Sequence, residues 1–302
     1  MLDLRQLRAL RAIAEHGSIL RAATALQWSQ PTVTHHLRGL SRLLGTEVVA
    51  SGSDGTRLTA IGEAMLPHAN AILNRADRAV DEMRSLVAAG RRRLAIGVFP
   101  SAGARLLPRV VQELRAAGFD PDVTEAELDP LMAGMTGLTL DAAIVYDAPG
   151  RPTVLPPGFR MIPVVREQLS VIVPAEHRLV GRDRITLADL EDDPWVVGAT
   201  AADPVDAALL AAARSAGFTP RIAMRSDDYA VVAAYVAAGI GVALVPALAL
   251  PRQGEDDIAV LPLTGTTFER RIFLVTAPTL AADARSAIER ALRTTGTGSA
   301  IG

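Results

Sequence analysis

The chain of 302 residues contains no cysteine and no lysine, so every Lys+Arg position is an arginine. Without a thiol there is no cysteine nucleophile, no thiolate metal site and no disulfide framework. Without an ε-ammonium, Schiff-base and pyridoxal-phosphate chemistry, lysine-dependent phosphate loops and kinase-type sites are excluded, because a guanidinium neither titrates nor acts as a compact point charge. Histidine is scarce, and of five only His35 and His36 lie close together. That is a poor metal-ligand set, and neither a metal nor another cofactor is expected. No run of about 18 uncharged apolar residues is present, so no membrane partner is expected. Asp3, Arg5, Arg8, Arg11 and Glu15 interrupt the place where a signal sequence needs its apolar stretch, and a cytoplasmic location is the expectation.

What is present is unevenly distributed. Residues 1–93 hold 13 Arg against 8 Asp+Glu, whereas residues 94–302 hold 18 against 25, and the net charge of -2 hides the difference. A basic start joined to an acidic remainder points to a polyanion meeting only the first part.

In that first part Leu4, Leu7, Leu10, Ile13 and Ala14 recur at helical spacing, and Gly17 ends the pattern. Ser18 opens a short helix in which Ala22 and Ala23 allow close crossing. Ser29 then caps a third helix, with Pro31 in its first turn, Val33, Leu37, Leu40 and Leu44 on its apolar face, and Gly45 at its end. Two short helices of this kind form a helix-turn-helix, and the early polar residues of the second one, Ser29, Gln30, Pro31, Thr32, Thr34 and His35, are candidates for DNA contact. Strands at 48–50 and 56–58 around Gly52, Ser53, Asp54 and Gly55 make a wing, with Arg57 at its base within reach of phosphate or the minor groove.

Together these residues, from Leu4 to Arg57, Leu58, Thr59 and Gly62, resemble the winged helix-turn-helix of LysR-type transcriptional regulators. Three positions depart from the family pattern. Ser41 stands where a Glu is usual, and Val49 and Ser51 replace the usual Phe and Arg of the first wing strand. From residue 59 to about 89 the pattern is helical, with Leu66, Leu73, Val80 and Val87 seven apart and Met83 between the last two, a seam suited to pairing with a second copy. Pro67 is expected to kink or break this helix near Leu66. The resemblance implies a linker helix that forms a dimer or tetramer, presenting recognition helices to an interrupted inverted repeat of double-stranded DNA, with RNA polymerase as a further partner.

Beyond the arginines at 91–93, short apolar strands at 94–98, 123–126, 142–146, 168–173, 195–197, 221–224 and 241–245 alternate with helices at 104–117, 130–135, 204–216 and 228–238. Alternation of this sort predicts parallel sheets flanked by helices. The segments LDAAIVYD, LSVIVPAEHRLV and VAAGIGVALVP resemble the effector domain of the same family. The expected architecture is multi-domain: an all-α winged helix-turn-helix (1–58), a linker helix and hinge (59–93), and an α/β two-lobed domain similar to periplasmic binding proteins (94–302). Its lobes are 94–163 with 268–302, and 164–267. Loops at the carboxyl ends of the strands should meet a small-molecule effector, an anion held by backbone amides and by Pro100, Ser101, Ala102, Tyr146, Ala199, Thr200 and Asp228. The reading is a transcriptional regulator modulated by that effector. The alternative is a cytoplasmic small-molecule binding protein without a transcriptional role. No G-x-S-x-G elbow or complete G-x-G-x-x-G loop supports an enzyme.

Overall fold

A computed structural model describes residues 1–52, 55–147, 154–199, 203–250, 257–266 and 268–296. The chain divides into two compact units: Met1–Ala95 with Gly118–Asp120 and Met132–Asp141, and Ile96–Ala117 with Pro121–Leu131 and Ala142–Gly302.

The first three helices each start on a capping side chain, and the first and third end on glycine. Asp3 and Gln6 form a capping box at α1 (Leu4–His16), which ends on Gly17 at φ 67°. Ser18 caps α2 (Ile19–Leu26), and Ser29 caps α3 (Gln30–Leu44), which Gly45 closes in the left-handed region. Leu7, Leu10 and Ile13 of α1 pack with Ala22, Ala23, Val33, Leu37 and Leu40 in one buried cluster. The wing is an antiparallel pair, β1 (Val49–Gly52) and β2 (Gly55–Leu58), with Ala50 opposite Arg57. Gly55 has φ 117°, and a Cβ there would come within 2.6 Å of the Gly17 carbonyl oxygen that accepts from the Thr56 amide.

Thr59 caps α4 (Ala60–Ala89), a continuous helix of 30 residues. Pro67 therefore does not break it. The ring removes one amide donor, yet Met65 before it and Ala69 and Leu73 after it pack against the module's own core and hold the helix on both sides of the gap. The same burial corrects the expected seam. Leu73 is fully buried within its own chain, and Leu66 is half-buried, so Leu73 has no surface to offer a second copy. Farther along, Val80, Met83 and Val87 are exposed, Val87 at 88%, together with Ile72 and Leu86. Within this unit Asn74 Nδ2 donates to the Gly137 carbonyl at 2.8 Å, and Arg78 pairs with the Asp141 carboxylate.

The remaining elements are β3 (Arg92–Val98), α5 (Pro100–Arg105), α6 (Leu107–Ala116), β4 (Phe119–Glu125), α7 (Leu128–Thr136), β5 (Ala142–Asp147), β6 (Arg160–Pro174), β7 (Pro194–Val197), α8 (Pro204–Ser215), β8 (Arg221–Arg225), α9 (Tyr229–Ala237), β9 (Ala243–Pro246), β10 (Ile258–Leu261), β11 (Glu269–Thr276) and α10 (Ala282–Gly296). Among the described residues seven strands form one sheet in the order β10-β6-β11-β5-β3-β4, with β9 also paired to β6, and β7 and β8 form a second, parallel pair. The sheet is mixed, not parallel as expected. β3 and β5 are parallel, but β5–β11, β11–β6, β6–β10 and β6–β9 are antiparallel. One strand that carries the chain across and a neighbour that brings it back must run in opposite senses, and β6 and β11 are those two. The lobe division expected at 163/164 lies inside β6. The helix expected at 104–117 is interrupted at Leu106, because Pro108 suits a first turn and not a helix interior.

Candidate DNA-reading face and ligand cleft

In the first unit the Ser29 hydroxyl accepts from the Thr32 amide at 3.2 Å and meets the Thr32 hydroxyl at 2.7 Å, so both side chains are engaged in starting α3. Gln30, Thr34, Arg38 and Arg42 then follow at four-residue intervals and line one concave face with Pro31 and His35. Gln30, Pro31, His35, Arg38 and Arg42 are exposed, and Thr34 is half-exposed. Arg38 and Arg42 were not among the expected contacts. Their signal was the same spacing carried two turns past Thr34. Arg57 is exposed in the wing. Ser41 is buried beneath this face; its hydroxyl donates to Glu47 Oε2 at 3.0 Å and accepts from the Val48 amide at 3.2 Å. A carboxylate six residues on thus stands beside the position where the family's usual Glu is missing. Burial holds the His36 proton affinity below the usual imidazole value, which favours a neutral ring packed at 5.2 Å on Trp28.

The second unit encloses a cavity of about 40 Å³ that touches Pro100, Ser101 and Tyr146 and adjoins an open groove of about 610 Å³. At its wall Arg270, only 2% exposed, pairs with Glu167, donates to Ser101 Oγ at 2.7 Å, and lies 4.8 Å from the ring centres of both Phe99 and Tyr146. Glu167 also accepts from the Leu248 amide at 2.8 Å. Four more carboxylates, Glu127, Asp203, Asp206 and Asp227, line the cavity. Burial, with Asp227 and Asp203 nearby, raises the Glu127 pKa; burial raises Asp203; burial followed by the Asp203 charge pushes Asp206 up to about 6. Burial likewise pushes the Tyr146 and Tyr229 hydroxyls up, keeping them protonated.

Of the residues expected here, Pro100, Ser101 and Tyr146 reach the cavity, and Asp228 lines the groove while capping α9 through the Ala230 amide at 2.8 Å. Ala102 is buried in the core and does not line the cavity, and Thr200 lies outside the described residues. The Ala199 amide donates to Asp227 at 2.7 Å, and the Gly198 amide to Asp206 at the same distance. The backbone donors expected to hold an anionic ligand therefore already hold carboxylates of the chain itself. Arg270 went unread, although its signal was available as a charged residue at an inward position of a strand whose inward neighbours, Ile272 and Leu274, are apolar.

Among the described residues no helix is long and apolar enough to cross a membrane, and no group of three or more His, Asp or Glu is arranged to hold a metal ion.

Residues 4–63 match the model for the bacterial regulatory helix-turn-helix protein, lysR family, and residues 88–294 match the LysR substrate binding domain. The chain is 32% identical to the small neutral protease regulatory protein of Streptomyces coelicolor, over 90% of this chain and 81% of that one. It is 31% identical to the Hca operon transcriptional activator HcaR of Escherichia coli K12, over 81% and 82%. Among solved structures, full-length CbnR complexed with its target DNA matches with a TM-score of 0.63 and 25% identity, covering 97% of this chain and 100% of that one.

Proposed function

Because the chain belongs to the LysR family of bacterial transcriptional regulators, we propose that it reads DNA through α3 and its wing and changes promoter activity when a small molecule enters the cleft of residues 94–302. The observation that carries this reading is the exposed stripe Gln30, Thr34, Arg38 and Arg42 on a helix fixed at its start by Ser29 and at its end by Gly45. Gln offers a donor and an acceptor to one base edge, and Arg at the later turns meets phosphate or guanine. The exposed far half of α4, with Val80, Met83 and Val87, supplies a face for a second copy. Two copies present two recognition helices to the halves of an interrupted inverted repeat, and further pairing gives a tetramer able to meet RNA polymerase. Such a protein works where the DNA is, in the cytoplasm. A relative from Mycobacterium avium carries the name probable hydrogen peroxide-inducible genes activator; with no cysteine, a thiol-based peroxide response is closed to this chain.

Gel-shift titrations of the full chain test the reading. The duplex from its own promoter should bind at least tenfold more tightly than a random duplex at moderate salt, and equal affinity for both sinks it. Gln30→Ala should cost about 1–3 kcal/mol at the contacted base and relax preference there, whereas Arg38→Ala should weaken all duplexes alike and flatten the salt slope by about one.

A further inference from the structure

We propose that the ligand of the cleft is an organic cation, an amine or guanidine carried on a small apolar body. This deepens the reading of the cleft as the effector site and rests on it. Four places in a cleft of this kind attract anions: two loop amides after β7, and the amino termini of α8 and α9. Among the described residues all four are filled by the chain's own carboxylates. Asp206 accepts from the Gly198 amide and Asp227 from the Ala199 amide, Asp203 accepts from the Val205 amide at 2.6 Å to cap α8, and Asp228 caps α9. The cations at hand are engaged as well. Arg270 is paired with Glu167 between two aromatic faces, Arg105 donates to the Leu248 and Leu250 carbonyls at 3.3 and 3.1 Å, and Arg225 donates to the Gly198 carbonyl at 3.3 Å. Among the described residues the charged lining is thus mostly negative: four carboxylates against Arg270 in the cavity, and Glu125, Glu127, Asp227 and Asp228 against Arg105 in the groove.

Glu127 lines both the cavity and the groove, with Asp203 on the cavity side, Glu125 on the groove side and Asp227 on both. A positive head group placed among them removes repulsion between like charges, while a second anion adds to it. The cavity has room for such a head, since a single water needs only about 10–15 Å³. The body of the ligand has the groove, whose apolar lining comes from Ala104, Ala230, Ala233 and Leu250. Its volume suits one ring or a short alkyl chain.

Thermal-shift and calorimetric titrations of the full-length protein at pH 7.5 decide this with matched probes: benzylamine and hexylamine against benzoate and hexanoate. The amines should raise Tm saturably and the carboxylates should leave it unchanged. Glu127→Gln should weaken benzylamine at least tenfold, with Asp203→Asn as a second variant should the first fold poorly, while Glu176→Gln, an exposed acid outside the site, should bind as the parent does. Saturable binding of benzoate or hexanoate, tightened by Glu127→Gln, overturns the cation class and leaves the effector-site reading standing. If no probe of either sign shifts Tm, both the class and that reading fail.

Discussion

Arg270 and Glu167 are both nearly inaccessible to solvent, and the arginine's remaining contacts are Ser101 and two ring faces. A buried pair of this kind adds little net stability, but removing one partner strands the other charge. Arg270→Ala should therefore lower unfolding free energy by about 3–5 kcal/mol in a denaturant melt, with Arg270→Met combined with Glu167→Met recovering much of the loss. Asp206 makes the opposite prediction. Its folded value of about 6 lies above the roughly 3.9 of an unfolded aspartate, so the native state holds a proton that the unfolded chain releases in between. The stabilisation from that proton is fully present below about pH 4 and is lost as pH rises through 6. Asp206→Asn keeps an acceptor for the Gly198 amide and should exceed the parent in stability by on the order of 1–3 kcal/mol at pH 7.5, an advantage that disappears by pH 4. A constant difference across that range would place the effect outside this carboxylate.

Among the elements, α4 serves two ends with one helix: its first half completes the core of the DNA-reading module, and its second half carries the exposed apolar face. Leu73→Asp should abolish cooperative unfolding of that module, whereas Val87→Asp should leave the fold intact and shift sedimentation toward monomer. Gly62 sits in the first turn of α4, where an added Cβ would run into the Val48 carbonyl oxygen. Gly62→Ala should cost about 1–3 kcal/mol by overpacking, visible as a lower Tm. The helices of the first module were legible because their apolar residues keep a strict helical period and their ends carry Ser, Asp or Gly. The heptad count on α4 was legible too, but a seven-residue repeat does not say which chain covers it. Strands β10 and β11 went unread: β11 opens with Glu269, Arg270 and Arg271, charges that mask an inward alternation that is otherwise apolar. In the cleft, Ser101 could be found from its place after a strand and Tyr146 from its place at a strand's carboxyl end. Glu127, Asp203 and Asp206 could not, because they meet only through tertiary packing and each alone reads as a helix-start acid.

For the molecule as a whole, the split between a basic start and an acidic remainder acquires a local meaning: the arginine stripe of α3 sits at one site, and the carboxylates of the cleft at another. Lacking lysine, the proposed DNA-reading face has arginine and backbone amides to offer to phosphate, and on that proposal substituting Arg38, Arg42 and Arg57 together should flatten the dependence of affinity on salt by about three. The place of β11 in the sheet has a consequence for how the protein is made. This strand lies between β6 and β5 and joins them over most of its length, yet it spans residues 269–276 of 302. During synthesis from the amino terminus, the first module has all its elements outside the ribosome while the sheet still lacks its inner strand. Until Thr276 emerges, β5 and β6 present unpaired edges to the crowded surroundings of the nascent chain. A chain ended at residue 268 should accordingly aggregate on expression, while one ended at residue 90 should remain folded and dispersed.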